Sequence, residues 1–289
     1  MRWGYFPGCS AGDDAKDYDL SLRYVTRALG IDLEEIKDWV CCGGLSGSSA
    51  SHLYSISLPL FNLFLAERQG FERIVVPCPI CLSRFKKAHL EWAQAPSLQE
   101  KLKAVFDAPY QGKANVYHPV EVFLEMGLER IRERRRRSLS GLKIACYYGC
   151  FLTRPPELCS FDRSENPQSL DLILRQLGAE TVDWSLKTQC CGNFVGLSRS
   201  DIVQKLGNDL LKEAKEAGAN ALAVACPHCQ TNLDSRQEQI KRIYQVRYDL
   251  PILHLTQWMG LAFGALPEEV GIERLLTSPR EVLGARGLI

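Results

Sequence analysis

The strongest constraint on the fold of this 289-residue chain is a cysteine pattern that occurs twice. In each copy a single cysteine is followed by an adjacent pair before a glycine, and then by a C-P-x-C motif. The second copy begins its cysteine pair 149 residues after the first, and its C-P-x-C motif 148 residues after the first. The flanks repeat as well, since "YFPGC" corresponds to "YYGC". The chain is therefore predicted to contain two copies of one structural unit.

Each copy supplies five cysteines to the pattern, and we place the boundary between the copies in the arginine-rich stretch Arg134–Gly141. The predicted domains are residues 1–140 and residues 141–289. The pattern cysteines of the first domain are Cys9, Cys41, Cys42, Cys78 and Cys81, and those of the second are Cys150, Cys190, Cys191, Cys226 and Cys229.

Within each copy, short apolar runs alternate with amphipathic helical patterns. Residues 143–148 and 74–76 are typical of buried strands, while residues 18–29, 51–67 and 203–217 have helical spacing. Such alternation favours parallel sheets covered by helices. The predicted fold class is therefore α/β, with two pseudo-symmetric Rossmann-like domains that each carry one CCG motif. The cysteines follow the strands, which places them in loops at the carboxyl edge of the sheets.

Composition excludes several function classes. The chain has 35 basic and 34 acidic residues, so no general attraction to nucleic acid is expected. Its longest apolar stretch, residues 53–66, is shorter than the roughly 20 apolar residues of a membrane span, so we expect no direct membrane insertion. The N-terminus does not resemble a secretory signal. We therefore expect a cytoplasmic protein, in which clustered thiols indicate a metal or redox site more often than disulfides.

Five thiols in each copy are an odd number, so internal disulfides cannot account for all of them. A tetrahedral zinc site uses four thiolates and leaves the fifth unused. Adjacent side chains diverge in strands and helices, so a consecutive pair rarely reaches one ion. Gly43 and Gly192 permit a sharp turn after each pair, because glycine accepts positive φ angles. The pattern favours a multi-iron cluster in each copy, with zinc as the alternative.

These motifs, together with "ENPQSLDLILRQLGAETVDW", closely resemble the B subunit of heterodisulfide reductase and its relatives with paired cysteine-rich (CCG) domains. Looser relatives include iron–sulfur subunits of glycolate oxidase and lactate utilisation systems, and subunits attached to some succinate or fumarate enzymes. The resemblance implies two non-cubane [4Fe-4S] clusters, one held by each set of five cysteines. Cys146 and Cys159 lie outside the motif and are predicted not to be ligands, Cys146 being a small buried hydrophobic residue.

The resemblance also implies an oxidoreductase that reductively cleaves a disulfide, with the two domains facing each other across the substrate. It implies a ferredoxin-like C subunit and a flavin-containing A subunit as partners, since this chain has no ferredoxin or dinucleotide motif of its own. The disulfide of coenzyme M and coenzyme B is the leading candidate. Members that act on it often carry histidine where this chain has Phe151, so other disulfides stay open. The alternative is an electron-relay subunit of a sulfur-oxidation, lactate or glycolate complex.

Three histidines are secondary candidates. His118 and His254 occupy matching places in the two copies and would either donate hydrogen bonds and protons near the clusters or cap helices in the core. His228 lies inside C-P-H-C, where the first copy has Ile80, and is a candidate for contact with the cluster surroundings. The run of residues 129–137, with six arginines, is interpreted as a solvated helix end, with a docking patch as the alternative.

Overall fold

A computed structural model describes residues 2–12, 15–44, 47, 51–103, 106, 108–196 and 198–289. Within these residues the strands form two four-stranded parallel sheets, in the orders β2-β1-β3-β4 and β6-β5-β7-β8. The strands are β1 Arg2–Tyr5, β2 Asp32–Glu35, β3 Arg73–Val75, β4 Asn115–Tyr117, β5 Lys143–Tyr147, β6 Glu180–Val182, β7 Ala221–Val224 and β8 Ile252–His254.

Helices connect the strands and cover the sheets. The α-helices are α1 Lys16–Ala28, α2 His52–Arg68, α3 Pro79–Gln94, α4 Pro96–Lys103, α5 Pro119–Met126, α6 Leu128–Arg134, α7 Ser169–Gln176, α8 Ser200–Glu216, α9 Pro227–Tyr244, α10 Leu255–Ala262 and α11 Arg280–Gly284. Short 3₁₀ helices span Asn193–Val195, Pro267–Val270 and Ile272–Arg274. Together with the parallel sheets, these elements confirm the α/β fold class with two similar halves.

Local sequence accounts for most of these elements. The four residues of β7 are all apolar and buried, as expected for a strand covered on both faces of a parallel sheet. Helix α2 begins after Ser51, whose hydroxyl accepts a hydrogen bond from the backbone N–H of Tyr54. The predicted strands and helices agree with the structure to within three residues, the largest difference being the start of α8, predicted at residue 203 and observed at Ser200.

The chain divides into two compact units whose segments interleave. The first comprises Met1–Cys9 and Gly30–Val122, and the second comprises Ser10–Leu29 and Phe123–Ile289. Helix α1 therefore follows β1 in the chain but belongs to the second unit. There it packs against α10, and the hydroxyls of Ser21 and Thr256 lie 2.7 Å apart. The predicted division at residue 140 concerns the repeat in the sequence, and it stays a prediction.

Strand order determines where a ligand site can form in each sheet. From β1 the chain moves outward to β2, and it then returns to the other side of β1 to form β3. The β1 and β3 loops therefore leave the sheet at a topological switch point, where α/β proteins usually bind their ligands. The second sheet repeats this arrangement with β5 and β7.

Candidate functional site

The first unit brings the predicted cysteines together at the carboxyl edge of its sheet. Cys9 follows β1, the adjacent pair follows β2, and Cys78 follows β3 as the residue that caps α3. Cys81 lies in the first turn of α3, with its Sγ 3.0 Å from the Sγ of Cys42. A Cβ at Gly8 would lie 3.7 Å from the same Cys81 Sγ, so the β1 loop borders this cluster of thiols.

The second unit repeats the arrangement. Cys226 caps α9 as Cys78 caps α3, and the Sγ atoms of Cys191 and Cys229 lie 3.5 Å apart. A Cβ at Gly149 would lie 3.2 Å from the Cys229 Sγ, so the loop that carries Cys150 also borders the C-P-x-C turn. We call the five cysteines of each unit the first and second thiol centres. Their role as ligands stays a prediction.

Glycines with positive φ angles shape both centres. Gly43 and Gly192 have φ angles of 83° and 80°, as the C-C-G motif predicts. Near these turns, backbone N–H groups donate to sulfur, from Gly44 to Cys42 at 3.4 Å and from Gly192 to Cys190 at 3.3 Å. Backbone donors of this kind stabilise negative charge on sulfur.

Sequence reasoning missed a second pair of glycines. Gly8 and Gly149 have φ angles of 76° and 67°, and each lies immediately before the first cysteine of its centre. The signal was present in "YFPGC" and "YYGC", where a glycine follows each strand. These glycines bring the β1 and β5 loops close to the sulfur of the C-P-x-C turn, and a Cβ would be crowded against that sulfur at Gly149 but in ordinary contact with it at Gly8.

Contacts among the thiols favour shared protons and some thiolate character. In the first centre, hydrogen bonds from the Cys41 and Cys81 thiols lower the pKa of Cys42. In the second centre, a hydrogen bond from the Cys150 thiol lowers the pKa of Cys190. Thiolate is the form of cysteine that binds metals, so the chemistry of this donor set suits a soft metal group. Among the described residues, no three His, Cys, Asp or Glu side chains already form a site for a single metal ion.

The two centres differ in exposure. Cys9 and Cys41 are exposed, whereas their counterparts Cys150 and Cys190 are half-buried. The other three cysteines of each centre are buried. Each centre therefore has an inner part set against the core and an outer part closer to solvent.

The two cysteines outside the pattern lie elsewhere in the second unit. Cys146 is buried within β5, where burial raises the pKa of its thiol well above the ordinary value. Cys159 is also fully buried, with its Sγ 3.7 Å from the carbonyl oxygen of Phe151. Burial of Cys146 agrees with its interpretation as a small hydrophobic residue.

The two matching histidines are both fully buried, but their rings have different surroundings. The Nε2 of His118 donates to the carbonyl oxygen of Pro77, 2.9 Å away, next to the C-P-x-C turn. The ring of His254 instead stacks on Tyr18 at a centroid distance of 4.1 Å, and its Nε2 lies 3.8 Å from a carboxylate oxygen of Asp17. Among the described residues, neither ring nitrogen of His254 has a hydrogen-bond partner.

The remaining candidates lie at the surface. The His228 ring is half-buried and packs against Phe194, with the ring centroids 5.7 Å apart. In the arginine run, residues 132–136 are exposed, and the guanidinium of Arg130 donates to the carbonyl oxygen of Leu29. The run therefore agrees with the solvated helix end inferred from the sequence.

A buried tyrosine next to the second centre was not among the sequence candidates. Tyr147 ends β5, and its hydroxyl donates to the carbonyl oxygen of Gln189 at 2.6 Å, immediately before the cysteine pair. Burial and the surrounding thiols raise its pKa well above the ordinary value. The matching residue of the first unit is Phe6, which packs edge-on against Phe85 at 4.8 Å. The second centre therefore has a neighbouring hydroxyl that the first does not have at this position.

Comparison with known proteins places these two centres in a family. The cysteine-rich domain model named CCG matches residues 3–86 and 144–234, which together contain both centres. The chain belongs to this family. With two such domains it is similar to the B subunit of heterodisulfide reductase, and the family resemblance found in the sequence is confirmed.

Three curated relatives match nearly the whole chain. The 8-methylmenaquinol:fumarate reductase membrane anchor subunit of Wolinella succinogenes is 30% identical, over 94% of this chain and 95% of the relative. A protein of Archaeoglobus profundus that is named as like the heterodisulfide reductase B subunit is 28% identical, over 97% and 96%. The B subunit of the ferredoxin/F(420)H(2)-dependent CoB-CoM heterodisulfide reductase of Methanosarcina acetivorans is 27% identical, over 93% and 91%.

A solved structure supports the fold. A protein from Helicobacter pylori, described as hypothetical, superposes with a TM-score of 0.75 at 15% identity. The match covers 96% of this chain but about half, 52%, of the other protein. Separately, no helix within the described residues combines the length and apolarity that crossing a bilayer requires.

Proposed function

We propose that this chain is the iron–sulfur B subunit of a heterodisulfide-reductase-like complex, and that it reductively cleaves a disulfide. The observation that carries the proposal is the pair of five-thiol centres at matching switch points of two parallel sheets. Relatives named as heterodisulfide reductase subunits match over more than nine-tenths of the chain. The substrate class is CoM-S-S-CoB or a related disulfide.

Each thiol centre would hold one non-cubane [4Fe-4S] cluster. When bound, the clusters supply the two electrons that convert a disulfide and two protons into two thiols. The chain supplies ten thiolates, backbone N–H donors to sulfur and apolar walls that keep water from the inner ligands. The ligands proposed for the first centre are Cys9, Cys41, Cys42, Cys78 and Cys81, and those for the second are Cys150, Cys190, Cys191, Cys226 and Cys229.

The proposal includes partners. The chain would receive electrons from a ferredoxin-like C subunit, itself supplied by a flavin-containing A subunit, in a cytoplasmic complex. The more exposed outer thiols of the first centre suit contact with a substrate or an electron donor. Joint action of both clusters on one disulfide stays a prediction from the sequence repeat.

A second function is favoured by one relative. The Wolinella succinogenes protein is named as part of a fumarate reductase, and at 30% identity it matches this chain over nearly the whole length of both. In the alternative, this chain is an electron-relay subunit whose clusters pass electrons to a different catalytic chain. The two functions require the same ligands, so they differ only in whether a disulfide binds to this chain.

One experiment tests both the proposed iron–sulfur clusters and the proposed reaction with a disulfide. The anaerobically purified chain is analysed for iron, sulfide and zinc, and then reduced and mixed with candidate disulfides. About eight irons with matching sulfide would support two [4Fe-4S] clusters, while two zincs without sulfide would refute them. A disulfide-dependent change in the EPR spectrum supports the reductase. No response to any disulfide, together with rapid electron exchange with a redox partner, supports the relay.

A further inference from the structure

In each unit, the backbone carbonyl just before the C-P-x-C motif accepts a hydrogen bond from a buried side chain, but the donor differs. In the first unit, the Nε2 of His118 donates to the carbonyl oxygen of Pro77 at 2.9 Å. The second unit has Ala225 at the place of Pro77. There the hydroxyl of Tyr18 donates to the carbonyl oxygen, 3.4 Å away. The donor is therefore an imidazole in one unit and a phenol in the other.

The histidine that matches His118 in the second unit does not make this contact. His254 lies, like His118, where the edge strand of its sheet ends and a helix begins. Neither ring nitrogen of His254 has a hydrogen-bond partner among the residues that the structure describes. Its ring instead stacks on that of Tyr18, with the centroids 4.1 Å apart and the planes 10° from parallel. Tyr18 thus covers the histidine and supplies the donor that this histidine does not.

The packing of α1 fixes the position of Tyr18. The tyrosine is buried, and α1 packs against α10, the helix that begins directly after His254. Three residues after Tyr18, the hydroxyl of Ser21 lies 2.7 Å from that of Thr256 on α10. Buried tyrosine hydroxyls usually have a hydrogen-bond partner, and for Tyr18 this partner is the carbonyl next to the second centre. All these residues belong to the second unit.

We propose that Tyr18 is a positioning residue of the second thiol centre. Its hydroxyl orients the peptide group before the C-P-x-C motif, as the His118 ring does in the first unit. Because that peptide group is planar, a donor to its oxygen restricts the rotation of the plane and so the orientation of Cys226, the residue that caps α9. The inference rests on the proposed function, in which Cys226 is a cluster ligand.

The test compares single variants of the full-length, iron-loaded protein under anaerobic conditions. Tyr18→Phe keeps the ring that stacks on His254 and removes only the hydroxyl. A chelator should then extract iron from the second centre about fivefold faster, the factor that corresponds to one buried hydrogen bond. The EPR signal of that centre should also change shape, whereas the first centre should keep its parent signal and rate. The signal that is absent from Cys191→Ala identifies the second centre.

Two variants are matched controls for this comparison. Tyr24→Phe removes another hydroxyl of α1, from a half-buried ring next to Gly260, and should change neither centre. His118→Phe removes the donor of the first unit and should change the signal of the first centre alone. The inference is overturned if Tyr18→Phe changes both centres equally, if Tyr24→Phe has the same effect, or if the second centre keeps its parent signal and rate.

A measurement without iron separates this inference from the proposed function. In the metal-free protein, alkylation of the thiols by iodoacetamide is followed residue by residue with mass spectrometry. Tyr18→Phe should raise the rate at Cys226 relative to that at Cys146, a buried thiol of the same unit outside the centres. An equal rise at both thiols would indicate a general loss of stability and overturn the positioning role. A parent that binds neither iron nor sulfide would instead refute the proposed function, so the two failures are distinguishable.

Discussion

The first and second thiol centres share one backbone plan but have different surroundings. Both use a positive-φ glycine before the first cysteine, a turn after the cysteine pair and a C-P-x-C turn that begins a helix. The first has exposed outer cysteines, whereas the second has half-buried outer cysteines and the Tyr147 hydroxyl. The repeat thus preserves the placement of the cysteines, while their surroundings differ in exposure and polarity.

The matching histidines show the same contrast. The backbone N–H of His118 donates to Glu121 and that of His254 to Gln257, so both residues begin a helix in the same way. The His118 ring also bonds to a backbone carbonyl, whereas the His254 ring faces Tyr18 and Asp17 of α1. Helix α1 carries Asp17 and belongs to the second unit. The second unit therefore has a buried acid–base pair, formed by Asp17 and His254.

Removing an inner cysteine from one centre should have the largest effect. We expect Cys42→Ala and Cys191→Ala each to lower the iron content by about half, because each removes one buried sulfur from one of two separate centres. Iron and sulfide analysis of anaerobically purified protein checks this. Cys146→Ala and Cys159→Ala are matched controls, since both thiols are buried outside the centres and their loss should leave the iron content unchanged. Complete iron loss from either inner variant would argue against independent centres.

Local pattern predicted the elements well, but it could not assign α1 to a unit. The apolar and small residues along α1 show that one face is buried, and that much follows from helical spacing. Which sheet covers that face depends on tertiary packing, which spacing does not encode. The structure places α1 in the second compact unit, and this assignment could not be read from the spacing of its residues.

For the candidate site too, the sequence predicted some features and not others. The sequence predicted which cysteines converge, because parallel strands bring their following loops to one edge. It did not identify Tyr147, since an aromatic residue at the end of an apolar run is usually a core residue. Only the hydrogen bond of its hydroxyl to the Gln189 carbonyl indicates that it lies beside the second centre.

The glycines before Cys9 and Cys150 offer a finer comparison of the two centres. An alanine at either position is strained by roughly 1–2 kcal/mol, because its φ angle is positive. Gly149→Ala should cost more than Gly8→Ala, since its Cβ would lie 3.2 Å from the Cys229 sulfur, compared with 3.7 Å from the Cys81 sulfur. Denaturant unfolding and iron content check this.

The strain itself needs a control in each unit. Gly70 and Gly218 also have positive φ angles, and a Cβ at either one meets nothing within 4 Å. Alanine at these positions should therefore lower stability without changing the iron content. Equal iron loss in all four variants would mean that strain, and not crowding of the sulfur, controls the centres.

The buried pair of the second unit predicts opposing pH effects. Burial raises the pKa of Asp17 to about 6 and lowers that of His254 to about 3. As the pH falls from 7 to 5, His254 gains a proton only in the unfolded state, which costs about 2 kcal/mol of stability. Asp17 gains its proton mainly in the folded state, which returns about 1 kcal/mol. The parent should therefore lose little stability over this range.

Single variants separate the two effects. Asp17→Asn should lose more stability than the parent between pH 7 and 5, and His254→Phe should gain stability over the same range. Arg274 and Asp234 also act on Asp17 and are unchanged in both variants. If the free energy of unfolding changed equally between pH 7 and 5 in Asp17→Asn and His254→Phe, this account would be ruled out.

The smallest expected effect concerns the hydroxyl that distinguishes Tyr147 from Phe6. Tyr147→Phe removes a buried hydrogen bond to the Gln189 carbonyl and should cost about 1 kcal/mol in the free energy of unfolding. It should alter the EPR signal of the second centre alone, because the hydroxyl lies among the thiols of that centre. The reverse change, Phe6→Tyr, adds an oxygen to a fully buried ring that packs edge-on against Phe85 and Trp39, and it should also destabilise, through crowding. If both substitutions were neutral in unfolding and in the spectra, this residue pair would not contribute to the difference between the centres, leaving exposure to account for it.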